Sequence, residues 1–115
     1  MSVKRLAEEV GLAENDYLEL VELFIHTTFS DLSQLQAAIE DFDAEKVFET
    51  AHSIKGAAAS LGFSEIFEAA RELEMNAREG HLEGATESIR MIKERVDRIG
   101  AVLSSTRNGG TPSSS

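Results

Sequence analysis

Ahead of Pro112 the chain contains no proline, and its apolar residues recur at steps of three and four along most of its length. That spacing lines one face of a 3.6-residue helix and not of a strand, so the sequence predicts an all-α fold. A short helix over residues 2–10 is expected to end near Gly11. A long one covers Asn15 to Asp41, with Tyr17, Val21, Phe24, Thr28, Leu35 and Ile39 on one stripe and Leu18, Ile25, Phe29 and Leu32 on a second. A helix with two apolar faces touches two neighbours, or one neighbour and a partner, and the short first helix is expected to cover part of the second face. Asp43 is placed to cap a helix from Ala44 to Ser60, which Gly62 breaks. Ser64 is expected to cap the next helix, to Glu79, with Ile66, Ala70, Leu73 and Ala77 as its stripe and Gly80 as its stop. The last helix, Leu82 to Ser104, carries the cleanest stripe: Ala85, Ile89, Ile92, Val96, Ile99 and Leu103. Four long helices joined by short turns imply an antiparallel up-down four-helix bundle with an extra short N-terminal helix, over residues 1–104. Residues 105–115 hold almost nothing to bury and read as a disordered tail.

Several function classes are excluded by composition. One domain is expected, since 115 residues bury about two-thirds of the unfolded surface. A formal charge of −10 argues against a nucleic-acid binder, whose affinity rests on clustered Lys and Arg. Zero cysteines exclude a disulfide framework or thiolate metal site and suit a reducing cytoplasm. No apolar run approaches the roughly 18 residues that span a membrane. Lys4, Arg5, Glu8 and Glu9 among the first ten residues do not make a signal peptide.

One stretch stands out chemically: Ala51-His52-Ser53-Ile54-Lys55-Gly56-Ala57-Ala58-Ala59-Ser60-Leu61-Gly62. At about 100° per residue, Val47, Ala51, Ile54, Ala58 and Leu61 fall within roughly 40° of one line, a core stripe. His52 lies about 140° from that line, Gly56 about 180°, Ala59 about 120° and Lys55 about 80°. The imidazole therefore points out of the core, and the surface one turn beyond it is bare. Glycine inside a helix costs about 1 kcal/mol relative to alanine; access for a bulky group or a close partner is a reason for Gly56. Lys55, at i+3, can place an ammonium beside negative charge carried on the ring. Together these features suit a phosphoryl group held on histidine.

The stretch resembles the histidine-containing phosphotransfer (HPt) domain family, whose signature is His-x-x-Lys-Gly with a second glycine six residues on. Here those positions are His52, Lys55, Gly56 and Gly62, preceded by Ala51. The motif covers about a dozen residues, and its mid-helix setting extends the resemblance to residues 1–104. The family implies the same bundle, with no cofactor and no metal in the domain itself. It implies that His52 accepts a phosphoryl group from a receiver-domain aspartate and passes it to a second receiver domain. Lys55 would offset the charge, with Gly56, Ala59, Phe48 and Gly62 at the binding surface. A cytoplasmic monomer is expected, a carrier without an ATP site rather than an enzyme. Three alanines follow Gly56 where the family often varies with serine or glycine, which bears on partner choice.

Blander readings stand beside these. His26 and His81 read as inert surface residues. Glu49 and His52 form one Glu-x-x-His pair, but a di-metal bundle needs two such pairs and two further glutamates aimed inward. Residue i−3 is Leu23 for His26 and Arg78 for His81, so no second pair exists. Glu49 is either a hydrogen-bond acceptor for one ring nitrogen of His52 or a solvated acid. Phe48 is either half-buried core or an apolar contact for a partner, and Arg71 and Arg78 read as surface charge. Two rival functions stay open: a bundle that only binds proteins, or a module of a larger sensor kinase that phosphorylates His52.

Overall fold

The computed structural model describes residues 2–109, which form five helices and no strand: α1 (Val3–Glu9), α2 (Glu14–Glu40), α3 (Ala44–Leu61), α4 (Ser64–Arg78) and α5 (Ala85–Gly109). The four long helices make an antiparallel bundle in which α3 packs on α2 and α4, and α5 closes the ring between α4 and α2. The core is the set of expected stripes brought together: Tyr17, Val21, Phe24, Leu35, Val47, Ala51, Ile54, Ile66, Leu73, Ile92 and Val96 are all buried. On α2 the last turn drifts, so that Ala38 is buried and Ile39 only half so. Its second face is covered unevenly: Leu18 and Leu32 are buried, Ile25 is partly so, and Phe29 stays exposed.

The site helix begins and ends as its sequence dictates. Asp43 caps it by accepting the Lys46 N–H at 3.0 Å, and Gly62 ends it in the left-handed conformation, φ 82°, which glycine adopts without a Cβ clash. The Leu61 carbonyl, one of the orphaned acceptors at the helix end, takes a buried 2.7 Å hydrogen bond from the Tyr17 hydroxyl. Burial, with the nearby Glu9 carboxylate, pushes the Tyr17 phenol up to about 12. α1 packs on α2 and reaches this same end, where Leu6 and Val10 come within contact distance of the space over Gly62.

Several boundaries shift by a residue, and three further differences stand out. Phe63, not Ser64, is the N-cap of α4, its carbonyl accepting the Phe67 N–H at 2.9 Å. Phe63 is held there because its ring is buried against Phe24, with centroids 5.3 Å apart. At the other end of the bundle Leu82 belongs to the turn, and α5 starts only after Gly84, whose carbonyl accepts the Ser88 N–H at 3.2 Å. Finally, α5 runs to Gly109, past the expected end at Ser104. Residues 110–115 of the expected tail lie outside the described residues.

Candidate functional site

The outward arc of α3 carries the site. His52 sits one residue past the buried Ala51, and 65% of its side chain is exposed. Lys55, three residues on, is 24% exposed, and it leans toward α4. Between them on the facing helix stands Glu74, whose side chain is only 6% exposed. One carboxylate oxygen of Glu74 accepts from Nδ1 of His52, and the other accepts from the Lys55 ammonium at 2.7 Å. Burial raises the Glu74 carboxyl, but hydrogen bonds from Lys55 and His52 and their charges outweigh it and hold the group below its ordinary value. No buried side-chain nitrogen or oxygen among the described residues lacks a hydrogen-bond partner.

Glu74 is the functional residue that sequence reasoning missed. Its signal was present: it follows Leu73 by one residue and Ala70 by four, which places an acid on the apolar arc of α4. A buried carboxylate requires a partner. Glu49, considered for the same role, is exposed, and the ring nitrogen is taken by Glu74 instead.

Phe48 is half-buried and lies one turn before His52, with the two rings 9° from parallel and their centroids 6.1 Å apart. Arg78 places its guanidinium 5.4 Å from the Phe48 centroid, so it is more than a surface charge; Arg71 lies 3.7 Å from Glu68 on the surface. Gly56 and Ala59 are both exposed, and a Cβ added at Gly56 would meet nothing within 4 Å. Gly62 is not gathered with the others. It stands ten positions beyond His52, about 15 Å along the helix, where it serves as the cap beneath Leu6. His26 and His81 are exposed, the latter 3.8 Å from Glu79. No group of three or more His, Cys, Asp or Glu among the described residues is placed to hold a metal ion.

Beside His52 an apolar groove of about 250 Å³ runs between α2 and α3, walled by Leu20, Leu23 and Thr27 on one side and Ser53, Ala57 and Ser60 on the other. Leu23 is 60% exposed. The α2 side of α3, starting at Ser53 next to His52 in the chain, thus offers unburied hydrocarbon.

Chemically, an imidazole that donates Nδ1–H to a carboxylate carries its lone pair on Nε2. Here that second nitrogen belongs to an exposed ring with free space one turn away and an ammonium nearby. The arrangement is a nucleophile with a fixed proton and room for an incoming anion.

The chain is similar to known proteins. The family model of the Hpt domain matches residues 19–102, a span that contains His52, Lys55 and Glu74. Among solved structures, the crystal structure of histidine-containing phosphotransfer protein B (HptB) from Pseudomonas aeruginosa PAO1 is similar, with a TM-score of 0.80 and 28% identity over 90% of each chain. Among curated proteins, none matches.

Proposed function

The chain belongs to the Hpt domain family, histidine phosphotransfer modules of phosphorelays, and we propose that it carries a phosphoryl group on Nε2 of His52 between the aspartates of two receiver domains. The observation that carries this reading is the hydrogen bond from Nδ1 to Glu74, on a ring otherwise open to solvent.

The Nε2 lone pair attacks the phosphorus of a receiver's acyl phosphate. The N–P bond forms, the P–O bond to the aspartate breaks, and the aspartate leaves as a carboxylate. The Nδ1 proton stays on the bond to Glu74, which stabilises the positive charge that develops on the ring. Lys55 spends one of its three N–H donors on Glu74 and keeps two for the phosphoryl oxygens. The reverse attack, by a second receiver's carboxylate, discharges the ring. Gly56 and Ala59 let a partner close over the imidazole, and the groove at Leu20 and Leu23 supports an apolar contact beside it.

The domain carries phosphate supplied by a partner and does not draw it from ATP. No helix among the described residues is long and apolar enough to cross a membrane. The test is incubation with a phosphorylated receiver domain. Acid-labile phosphate is expected on His52 and none on a His52→Gln protein of unchanged helical content. A His52→Gln protein that still takes up phosphate would overturn the assignment.

A further inference from the structure

The antiparallel pair α3 and α4 presents two adjacent rungs. One is the imidazole of His52 against the carboxylate of Glu74; the next, one helical turn away, is the phenyl ring of Phe48 against the guanidinium of Arg78. The rungs are joined along α3, because the Phe48 and His52 rings lie parallel within 9° at 6.1 Å. That is the offset stacking distance, and 5.4 Å from Arg78 to the Phe48 centroid is cation–π range.

A single hydrogen bond at Nδ1 fixes one edge of the imidazole but leaves its plane free to swing. The plane matters, because the Nε2 lone pair lies in it and sets the direction of attack on phosphorus. A second contact, on the face of the ring, removes that freedom. Phe48 can supply it because its own ring is packed against the core and is tied to α4 by Arg78.

We propose that Phe48 is a positioning residue that fixes the plane of the His52 ring, and that Arg78 positions Phe48 by capping its ring from α4. The proposal rests on His52 being the phosphoryl acceptor. It assigns Phe48 to orientation within the chain rather than to contact with a partner, and it gives Arg78 a part in the reaction without touching the phosphate.

The test separates orientation from docking by using two donors. With phosphoramidate, the P–N bond breaks, ammonia leaves and the N–P bond forms on Nε2, so no docking surface is used. Phe48→Leu, which keeps the apolar bulk, is expected to take up phosphate about three- to tenfold more slowly from both phosphoramidate and a phosphorylated receiver domain. Phe48→Tyr, which restores the face, should recover the rate. Arg78→Gln, at an exposed position, should slow both donors about two- to fivefold. In the unphosphorylated protein, nitrogen-15 NMR of His52 should show a smaller share of the Nδ1–H form in Phe48→Leu and Arg78→Gln than in the parent chain.

Slowing with the receiver domain alone would make Phe48 a docking contact and overturn the proposal. So would an unchanged His52 ring spectrum in both variants. A parent chain that takes phosphate from neither donor overturns the acceptor assignment itself, and the spectra still decide whether Phe48 and Arg78 order the ring.

Discussion

Glu74 accepts the Nδ1 proton of His52 from across a helix interface, 22 residues away in the chain. The same carboxylate holds the ammonium of Lys55. Glu74→Gln keeps the shape and removes the charge, so Lys55 loses its counterion and the imidazole loses the group that stabilises its developing charge. Phosphoryl uptake from a phosphorylated receiver domain is expected to fall roughly 10- to 100-fold, in line with the loss of one charged hydrogen bond. Denaturant unfolding should show a cost of about 1–3 kcal/mol.

The pH dependence of stability carries the same signature. The Glu74 carboxyl is pushed up by burial but pulled further down by its bonds to Lys55 and His52, and so titrates below its ordinary value of 4.5. The unfolded chain binds its proton first as pH falls, so the contribution of Glu74 is complete above that ordinary value and is lost as pH drops through the lower folded one. The stability difference between the parent chain and Glu74→Gln should therefore shrink below pH 4.5, measured by chemical unfolding at a series of acid pH values.

Tyr17 gives the opposite sign at the alkaline end. Its phenol is raised from 10.0 to about 12 by burial and Glu9. Stability is full below 10.0 and declines as pH rises toward about 12, where the folded chain also loses the proton. Ultraviolet titration of the phenolate should give a midpoint near 12 in the folded protein. Tyr17→Phe leaves the Leu61 carbonyl without this donor and should cost about 1–3 kcal/mol.

Gly56 separates stability from access. A Cβ there meets nothing within 4 Å, so Gly56→Ala should stabilise the chain by about 0.5–1 kcal/mol through helix propensity. Gly56→Leu should also fold, yet its side chain occupies the space a partner needs. Transfer from a receiver domain is expected to drop at least tenfold, the effect of a loss of about 1.4 kcal/mol, while uptake from phosphoramidate changes little. Undiminished receiver transfer in Gly56→Leu would refute the access argument.

How far the sequence could be read depended on whether a feature was local to one helix. The ends of α3 were legible because Asp43 and Gly62 act on backbone groups within a turn of themselves. The outward aim of His52, the place of Lys55 and the bare surface at Gly56 followed from one helix's angular spacing. Leu82 misled because it sits three residues before Ala85, in step with the α5 stripe, although Gly84 sets the start of the helix. Ser64 misled because serine suits a cap, whereas the Phe63 ring, buried against Phe24, decides which residue occupies that position. The pairings of Glu74 and Arg78 were out of reach for a different reason. Their partners lie on α3, and pairing them requires the relative register of two helices, which periodicity within each does not supply. Reading α3 alone could offer His52 only Glu49, a neighbour on its own helix.

Only Gly62 and Phe63 separate α3 from α4, and the segment from Asp43 to Glu79 contains His52, Lys55, Glu74, Phe48 and Arg78. The candidate site is thus housed in a single hairpin, while Leu20 and Leu23 of the neighbouring groove belong to α2. Changes on α2 can alter the apolar surface flanking the proposed site without touching the hairpin that holds His52, Lys55 and Glu74.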